Sequence, residues 1–248
     1  MTNNMTNNMT NNILGVKFHV VTMKKAVTIL NRFLKTPELN IIVTPNPEIV
    51  MKARKDRELL NIINKSSLCV PDGIGIVLAS KKIKERVAGI DLIKNLFKSL
   101  DEEITVYLVG GKEGVSKKAS ENLLKEYKNI KIIGTHNGFF SRNKKEEISL
   151  LKDINEKKPD VLLVGIGSPA QEKWIARNKP NAKIAIGCGG SLDVFAGTVE
   201  RAPNFFIKVN LEWLYRVIKE PARARRLLFM PLFLALIVLR RFKNVIFK

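Results

Sequence analysis

Between residues 13 and 198 short apolar runs alternate with longer amphipathic stretches, and this alternation restricts the fold more than any other feature of the chain. The apolar runs fall at residues 40–44, 68–70, 105–109, 130–134, 161–164 and 183–186. They are brief and mostly continuous, as in strands covered on both faces. Apolar residues at helical spacing predict helices over residues 23–35, 47–64, 73–81, 92–100, 114–128, 144–157 and 169–178. Strand and helix in turn predict an α/β fold, a Rossmann-like and mostly parallel sheet with helices on both faces.

The division expected from the sequence is a disordered leader at residues 1–12, a catalytic-size domain at 13–200 and a basic, apolar appendage at 201–248. The leader repeats Met-Thr-Asn-Asn three times and has no apolar periodicity. It carries neither the basic nor the apolar region of a secretory signal. With 43 Lys and Arg against 23 Asp and Glu, the net charge of +20 favours polyanionic partners. From Arg201 onward there are 11 basic and two acidic residues, so much of the surplus lies near the carboxyl end. Two cysteines, Cys69 and Cys188, cannot build a disulfide framework, and His19 and His136 are far from both in sequence, which gives no support to a Cys/His nucleophile.

Four loops follow expected strands. In Val70-Pro71-Asp72-Gly73-Ile74-Gly75, one carboxylate stands in a glycine turn where open α/β sheets hold ligands. Asp72 is therefore a candidate general base, or simply a cap for the next helix. In Thr44-Pro45-Asn46-Pro47, Asn46 suits an N-cap and Pro47 the first helical position. In Gly167-Ser168-Pro169-Ala170-Gln171-Glu172, Ser168 and Gln171 have capping-box spacing. In Gly187-Cys188-Gly189-Gly190-Ser191, the glycines suit either an anion-binding nest or a tight strand-to-helix turn. Together these loops aim helix N-termini at one sheet edge, where backbone N–H groups favour an anion such as a diphosphate. Leu192 breaks the Gly-x-Gly-x-x-Gly fingerprint of dinucleotide sites. No Asp-x-Asp, His-Glu-x-x-His or Cys-x-x-Cys occurs, so no cofactor and no metal is expected.

Residues 227–239 carry no charge, too short a run for the roughly 20 residues that span a bilayer. Pro231 interrupts it, and Arg223, Arg225, Arg226, Arg240, Arg241 and Lys243 bracket it. Such a segment fits the interface of an anionic membrane, each basic residue contributing about 1 kcal/mol. A core or oligomer-interface helix with charged ends is the alternative, and self-association is expected without lipid. The stretch lacks the interleaved polar and aromatic residues that read or stack bases, so nucleic acid is not the expected partner.

Taken together, these motifs resemble the WecG/TagA/CpsF glycosyltransferase family. The resemblance is carried by Thr44-Pro45-Asn46, Val70 to Gly75, Glu85-Arg86-Val87-Ala88-Gly89-Ile90-Asp91, Gly167 to Trp174, Gly187 to Ser191, Arg201-Ala202-Pro203, Leu211 to Arg216 and Glu220 to Arg223. Cys188 and the asparagine-rich leader depart from the family pattern. The resemblance implies a bacterial enzyme that moves a sugar from a UDP-sugar donor to an undecaprenyl-diphosphate-linked acceptor. Its wall teichoic acid branch is the most similar. That branch implies transfer of N-acetylmannosamine from UDP-N-acetylmannosamine to undecaprenyl-diphosphate N-acetylglucosamine in a β-1,4 linkage. An α-linked donor giving a β product requires inversion, hence one base, Asp72. Thr44 and Asn46 are then expected at sugar hydroxyls, and Gln171, Glu172, Gly187, Gly189, Gly190 and Ser191 at the uridine diphosphate or donor sugar. Arg86, Asp91 and the appendage residues Arg223, Arg225 and Arg226 are expected to complete the substrate site, an arginine offsetting the departing diphosphate. A peripheral position on the cytoplasmic face of the bacterial membrane follows. The competing classes are the same fold acting on another UDP-sugar such as UDP-N-acetylmannosaminuronic acid or UDP-glucose, a non-catalytic nucleotide-sugar-binding membrane adaptor, an NAD-dependent oxidoreductase and a nucleic-acid-binding protein.

Overall fold

In a computed structural model of the chain, which describes residues 9–140, 144–219 and 229–246, six parallel strands form the central sheet in the order β4-β3-β8-β7-β5-β6. These are β3 (Asn40–Val43), β4 (Leu68–Cys69), β5 (Ile104–Gly110), β6 (Ile130–His136), β7 (Val161–Gly165) and β8 (Ile184–Gly187). All six lie where the apolar runs predict them, within one to two residues. The described helices are α1 (Met23–Phe33), α2 (Pro47–Ala53), α3 (Arg57–Lys65), α4 (Ile74–Leu78), α5 (Gly89–Lys98), α6 (Val115–Glu126), α7 (Lys144–Lys157), α8 (Ala170–Asn178), α9 (Ser191–Ala196), α10 (Asn204–Lys208), α11 (Glu212–Lys219) and α12 (Phe229–Ile246).

The pleat sorts the apolar strand residues between two cores. Ile42, Val106, Leu108, Val161, Leu163, Ile184 and Ile186 pack with α1, α5, α6 and α9 on one face. On the other, Val43 and Cys69 pack with α2 and α3, and Tyr107, Val109, Leu162, Val164 and Ala185 with α7 and α8. With helices on both faces, a run such as Val161 to Val164 is buried throughout, which explains its lack of polar alternation.

Several elements differ from expectation. Residues 47–64 form two helices. Asp56 restarts the chain as an N-cap, its side chain accepting from Leu59 N at 3.0 Å. A carboxylate cap of this kind satisfies a leading N–H and lets the chain begin a new helix. Order begins before Ile13, because β1 (Thr10–Ile13) pairs antiparallel with β2 (Val16–His19). Their turn places Leu14 and Gly15 at φ 51° and 97°, the left-handed pair that two-residue hairpins require. At the end of β2, His19 Nδ1 accepts from Cys69 N at 3.0 Å and so closes the outer edge of β4. Burial lowers the pKa of His19, as suits a ring nitrogen serving as acceptor. α10 is not anticipated by the sequence pattern, whereas α9 follows the glycine turn as its strand-to-helix reading allows. Asn210 takes φ 60° after α10.

The apolar tail segment forms α12, and Pro231 is the third of its described residues. Phe233 and Ile237 on one face of α12 are buried in the core beside α2, α3 and α4. On the other face Leu232, Val238 and Leu239 are 50%, 48% and 58% exposed. Among the described residues no helix is long and apolar enough to cross a membrane.

Candidate active site

The carboxyl ends of β4, β3, β8 and β7 line one edge of the sheet. From β3 the chain turns into α2 on one face, and from its neighbour β8 into α9 on the other. Connections that diverge between adjacent strands open a crevice at that edge, the usual ligand site of such sheets.

Three loops meet on the β3–β4 side. Asn46 Oδ1 caps α2 by accepting from Ile49 N at 3.0 Å, with Pro47 at the first helical position, as the sequence predicts. Asp72 N donates to Pro45 O at 3.3 Å, and Val87 N to Pro71 O at 2.9 Å. The half-buried Asp72 side chain does not cap α4, whose N-cap is Gly73 with no side-chain capping bond. Its Oδ2 instead accepts from Gly89 N, the first N–H of α5, at 3.4 Å. The arrangement sets the Asp72 carboxyl at a helix N-terminus, an end of the helix that favours negative charge. A Cβ on Gly89 would lie 3.0 Å from Thr44 Oγ1, and one on Gly73 3.7 Å from Asn46 Cβ. Thr44, Asn46 and Asp72 thus form one cluster.

The β7–β8 side is built differently. Gln171 Oε1 accepts from Gly189 N at 3.0 Å, and its Nε2 donates to Glu172 Oε1 at 2.9 Å. The expected capping box is therefore absent: the Gln171 amide braces the glycine turn, and α8 has no side-chain cap. A Cβ on Gly187 would lie 2.7 Å from Gln171 Nε2. Gly189 has φ 49° and Ser191 opens α9, with Ser191 N donating to Cys188 O at 3.0 Å. Gln171 and Glu172 are each only 3% exposed. Burial raises the pKa of Glu172, against the opposing pull of the Gln171 and Ser168 side chains and the Lys52 charge. Lys52, ion-paired with Glu48 at 2.8 Å, reaches across to donate to Ser168 O at 3.3 Å, joining α2 to the β7–α8 loop. Strand register sets Asp72, Asn46 and Gly190 three residues beyond aligned positions on neighbouring strands. The strands that lead into the acidic and glycine turns, β4 and β8, are two strand spacings apart, about 10 Å.

Both cysteines are buried and free. Burial pushes the Cys188 thiol up to about 12 and that of Cys69 higher still, which makes both inert as nucleophiles.

Arg86 and Asp91 face partners within the protein. Arg201 grips Asp91 with two hydrogen bonds, Nη1 to Oδ1 and Nη2 to Oδ2, both 2.7 Å. Arg201 Nε lies 3.9 Å from Glu212 Oε1, and Glu212 Oε2 lies 3.2 Å from Arg86 Nη2. Burial disfavours the Arg201 cation, but the Asp91 fork, and behind it Glu212 and Asp72, outweigh that and raise its pKa. Arg201 and Glu212 occur in sequence motifs to which no site role is attached, and their pairing joins positions 110 and 126 residues apart. The one sequence sign is an acidic residue set among the cations of the last segment. Arg223, Arg225 and Arg226 lie outside the described residues.

Residues 11–245 match the glycosyl transferase WecG/TagA/CpsF family. The chain belongs to this family. A relative from Bacillus subtilis (strain 168) is 39% identical over 212 residues, covering 82% of this chain and 80% of that protein. One from Staphylococcus aureus (strain MRSA252) is 38% identical over 231 residues, covering 90% and 89%. Both are named N-acetylglucosaminyldiphosphoundecaprenol N-acetyl-beta-D-mannosaminyltransferase. As a family member the chain is a glycosyltransferase, and the family match runs through both turns, the Arg201 network and α12.

Proposed function

We propose that this glycosyltransferase moves N-acetylmannosamine from UDP-N-acetylmannosamine to undecaprenyl-diphosphate N-acetylglucosamine, forming the β-1,4 linkage of a wall teichoic acid linkage unit. The observation that carries the reading is the extent of the similarity: both relatives named for this transfer align over at least four-fifths of this chain.

Asp72 is the base in this mechanism. Its carboxylate takes the proton from the acceptor C4 hydroxyl as that oxygen attacks the donor anomeric carbon. The bond from that carbon to the phosphate oxygen breaks on the opposite side, and UDP leaves with the electron pair, inverting the configuration. General-base assistance of this kind contributes about 10²-fold or more. Thr44 and Asn46, clustered with Asp72, are suited to sugar hydroxyls. The glycine turn lets the diphosphate approach backbone closely, and the arginines near residue 225 supply countercharge to the leaving group. The proposal invokes no metal.

The lipid acceptor keeps its tail in the bilayer, so the enzyme works as a peripheral protein at the cytoplasmic membrane face, where its nucleotide-sugar donor is available. The exposed apolar side of α12, with Arg240 exposed beyond it, supports this reading.

The test is an assay of the purified full chain with a short-chain lipid-diphosphate N-acetylglucosamine acceptor, a panel of UDP-sugars, and EDTA in parallel. The expected result is UDP release and a disaccharide-lipid product with UDP-N-acetylmannosamine, unchanged by EDTA. Preference for UDP-glucose or UDP-N-acetylmannosaminuronic acid would reassign the donor, and donor binding without turnover would make the chain an adaptor.

A further inference from the structure

Asp91 is the third residue of α5, and Gly89, the first, supplies the N–H that meets Asp72 Oδ2. Whatever fixes the first turn of α5 therefore bears on the direction in which the Asp72 carboxylate points. That turn has one strong external restraint in view, the two-pronged grip of Arg201 on Asp91 at 2.7 Å. Paired, coplanar bonds of this kind set orientation as well as distance. The grip is itself braced: Glu212, only 7% exposed, stands beside Arg201 Nε and holds Arg86 on the loop leading into α5. Carboxylates and guanidinium groups alternate along this row, so each buried charge faces an opposite one and none is left uncompensated.

We propose that Arg201 is a positioning residue for Asp72, acting through its fork on Asp91 and the leading N–H of α5. The proposal rests on the reading of Asp72 as the base. It assigns Asp91 and Glu212 to holding this lever in place, and it ties the segment that begins at Arg201 to the geometry of the reacting carboxylate. A shift of a fraction of an ångström at Gly89 N would turn the carboxylate away from the acceptor hydroxyl without altering the surfaces that bind the donor, because positioning loss appears in turnover first.

The experiment compares kcat, donor KM and melting temperature for the full chain and for Arg201→Gln, Arg201→Lys, Asp91→Asn, Asp72→Asn and the Asp72→Asn/Arg201→Gln pair. Arg201→Gln and Asp91→Asn are expected to lower kcat roughly tenfold with donor KM within about twofold, as for a misdirected group. Arg201→Lys, which keeps the charge but not the fork, is expected to lose several-fold. In the Asp72→Asn background, Arg201→Gln is expected to cost nothing further, because the group it directs is gone. Near-wild-type turnover of Asp72→Asn overturns the base reading itself. Loss in Asp72→Asn with full activity in Arg201→Gln and Asp91→Asn overturns the positioning role alone. A full additional tenfold loss in the double variant also overturns it, since Arg201 would then act independently of Asp72. Should Arg201→Gln melt far below wild type, Arg201→Lys and Asp91→Asn decide: full kcat in both overturns the role, and lowered kcat at unchanged KM upholds it.

Discussion

The two turns at the crevice edge are made of similar residues and held in opposite ways. At the glycine turn, Gln171 ties Gly189 N to Glu172, Gly187 presses on the Gln171 amide, and both side chains are 3% exposed. That turn is a buried wall, in which Glu172 Oε1 accepts from Gln171 while Oε2 meets no hydrogen-bond donor among the described residues. At the acidic turn, Asp72 is half-buried and meets Gly89 N at 3.4 Å, a long contact beside the 2.9–3.0 Å bonds opposite. A carboxylate that accepts from a helix N-terminus and is only half buried can exchange a proton, whereas a buried amide cannot. The contrast teaches that sequence position at a strand end does not decide function. The hydrogen bonds left over after the turn is built do.

Asp72→Asn is the largest test of this contrast. Asparagine accepts a backbone N–H about as well as aspartate, so a purely structural residue would tolerate the change. The base role predicts a fall in kcat of about 10²-fold with circular dichroism unchanged. Turnover near wild type would erase the difference between the two turns.

The acidic turn also has a flank that the glycine turn lacks. A Cβ on Gly75, just past Asp72, would lie 2.9 Å from Met230 Sδ, so α12 seats directly against α4. Removing α12 would take Phe233 and Ile237 out of the core, uncover the α2 and α4 residues they cover, and confuse unfolding with detachment. Substituting the outward residues instead, Leu232, Val238 and Leu239 to Ser, leaves that seat intact. Each buries up to about 1.5–3 kcal/mol of apolar surface if it enters a lipid interface. Co-sedimentation with anionic vesicles at low salt is expected to fall at least tenfold with the melting temperature nearly unchanged. Undiminished vesicle binding would detach the acidic turn from the membrane surface.

Gly187→Ala probes the wall. Its Cβ would lie 2.7 Å from Gln171 Nε2, so the amide must move and loosen its bonds to Gly189 and Glu172. A cost of about 1–3 kcal/mol is expected, read as a drop of several degrees in thermal melting. A neutral outcome would mean that the wall yields readily.

Much of this was legible in the sequence, because the sheet is made by local pattern. Every strand of the central sheet coincides with a short apolar run, and the Asn46 and Pro47 signals mark the start of α2 as observed. What was not legible depends on pairing between distant segments. The β1–β2 hairpin is made of four-residue strands, one of them polar, and it gains stability only by setting Val16 and Phe18 into a core formed by α2 and α3. Arg86 and Asp91 read as ligand groups because their charges are visible in sequence while Glu212 and Arg201 are more than a hundred residues away. The role of Gln171 was hidden for the same reason: its partner Gly189 lies on the next strand's turn. Local spacing finds helix starts and strand ends, and it does not reveal which charges have already met.

The smallest effect tests whether the wall is sealed to charge. Burial raises the pKa of Glu172 in the folded chain, so folding favours its protonated form. The stability it contributes is then fully present below the ordinary glutamate range and is lost as pH rises through the higher folded value. Glu172→Gln fixes the neutral form while keeping an oxygen to accept from Gln171. The variant is therefore expected to melt with wild type at acidic pH and to exceed it by a few degrees at neutral pH and above. The two melting curves, followed from pH 4 to pH 8, check this directly. Parallel curves would mean that Glu172 remains solvated as a carboxylate, and the glycine turn would then be as open to water as the turn that carries Asp72.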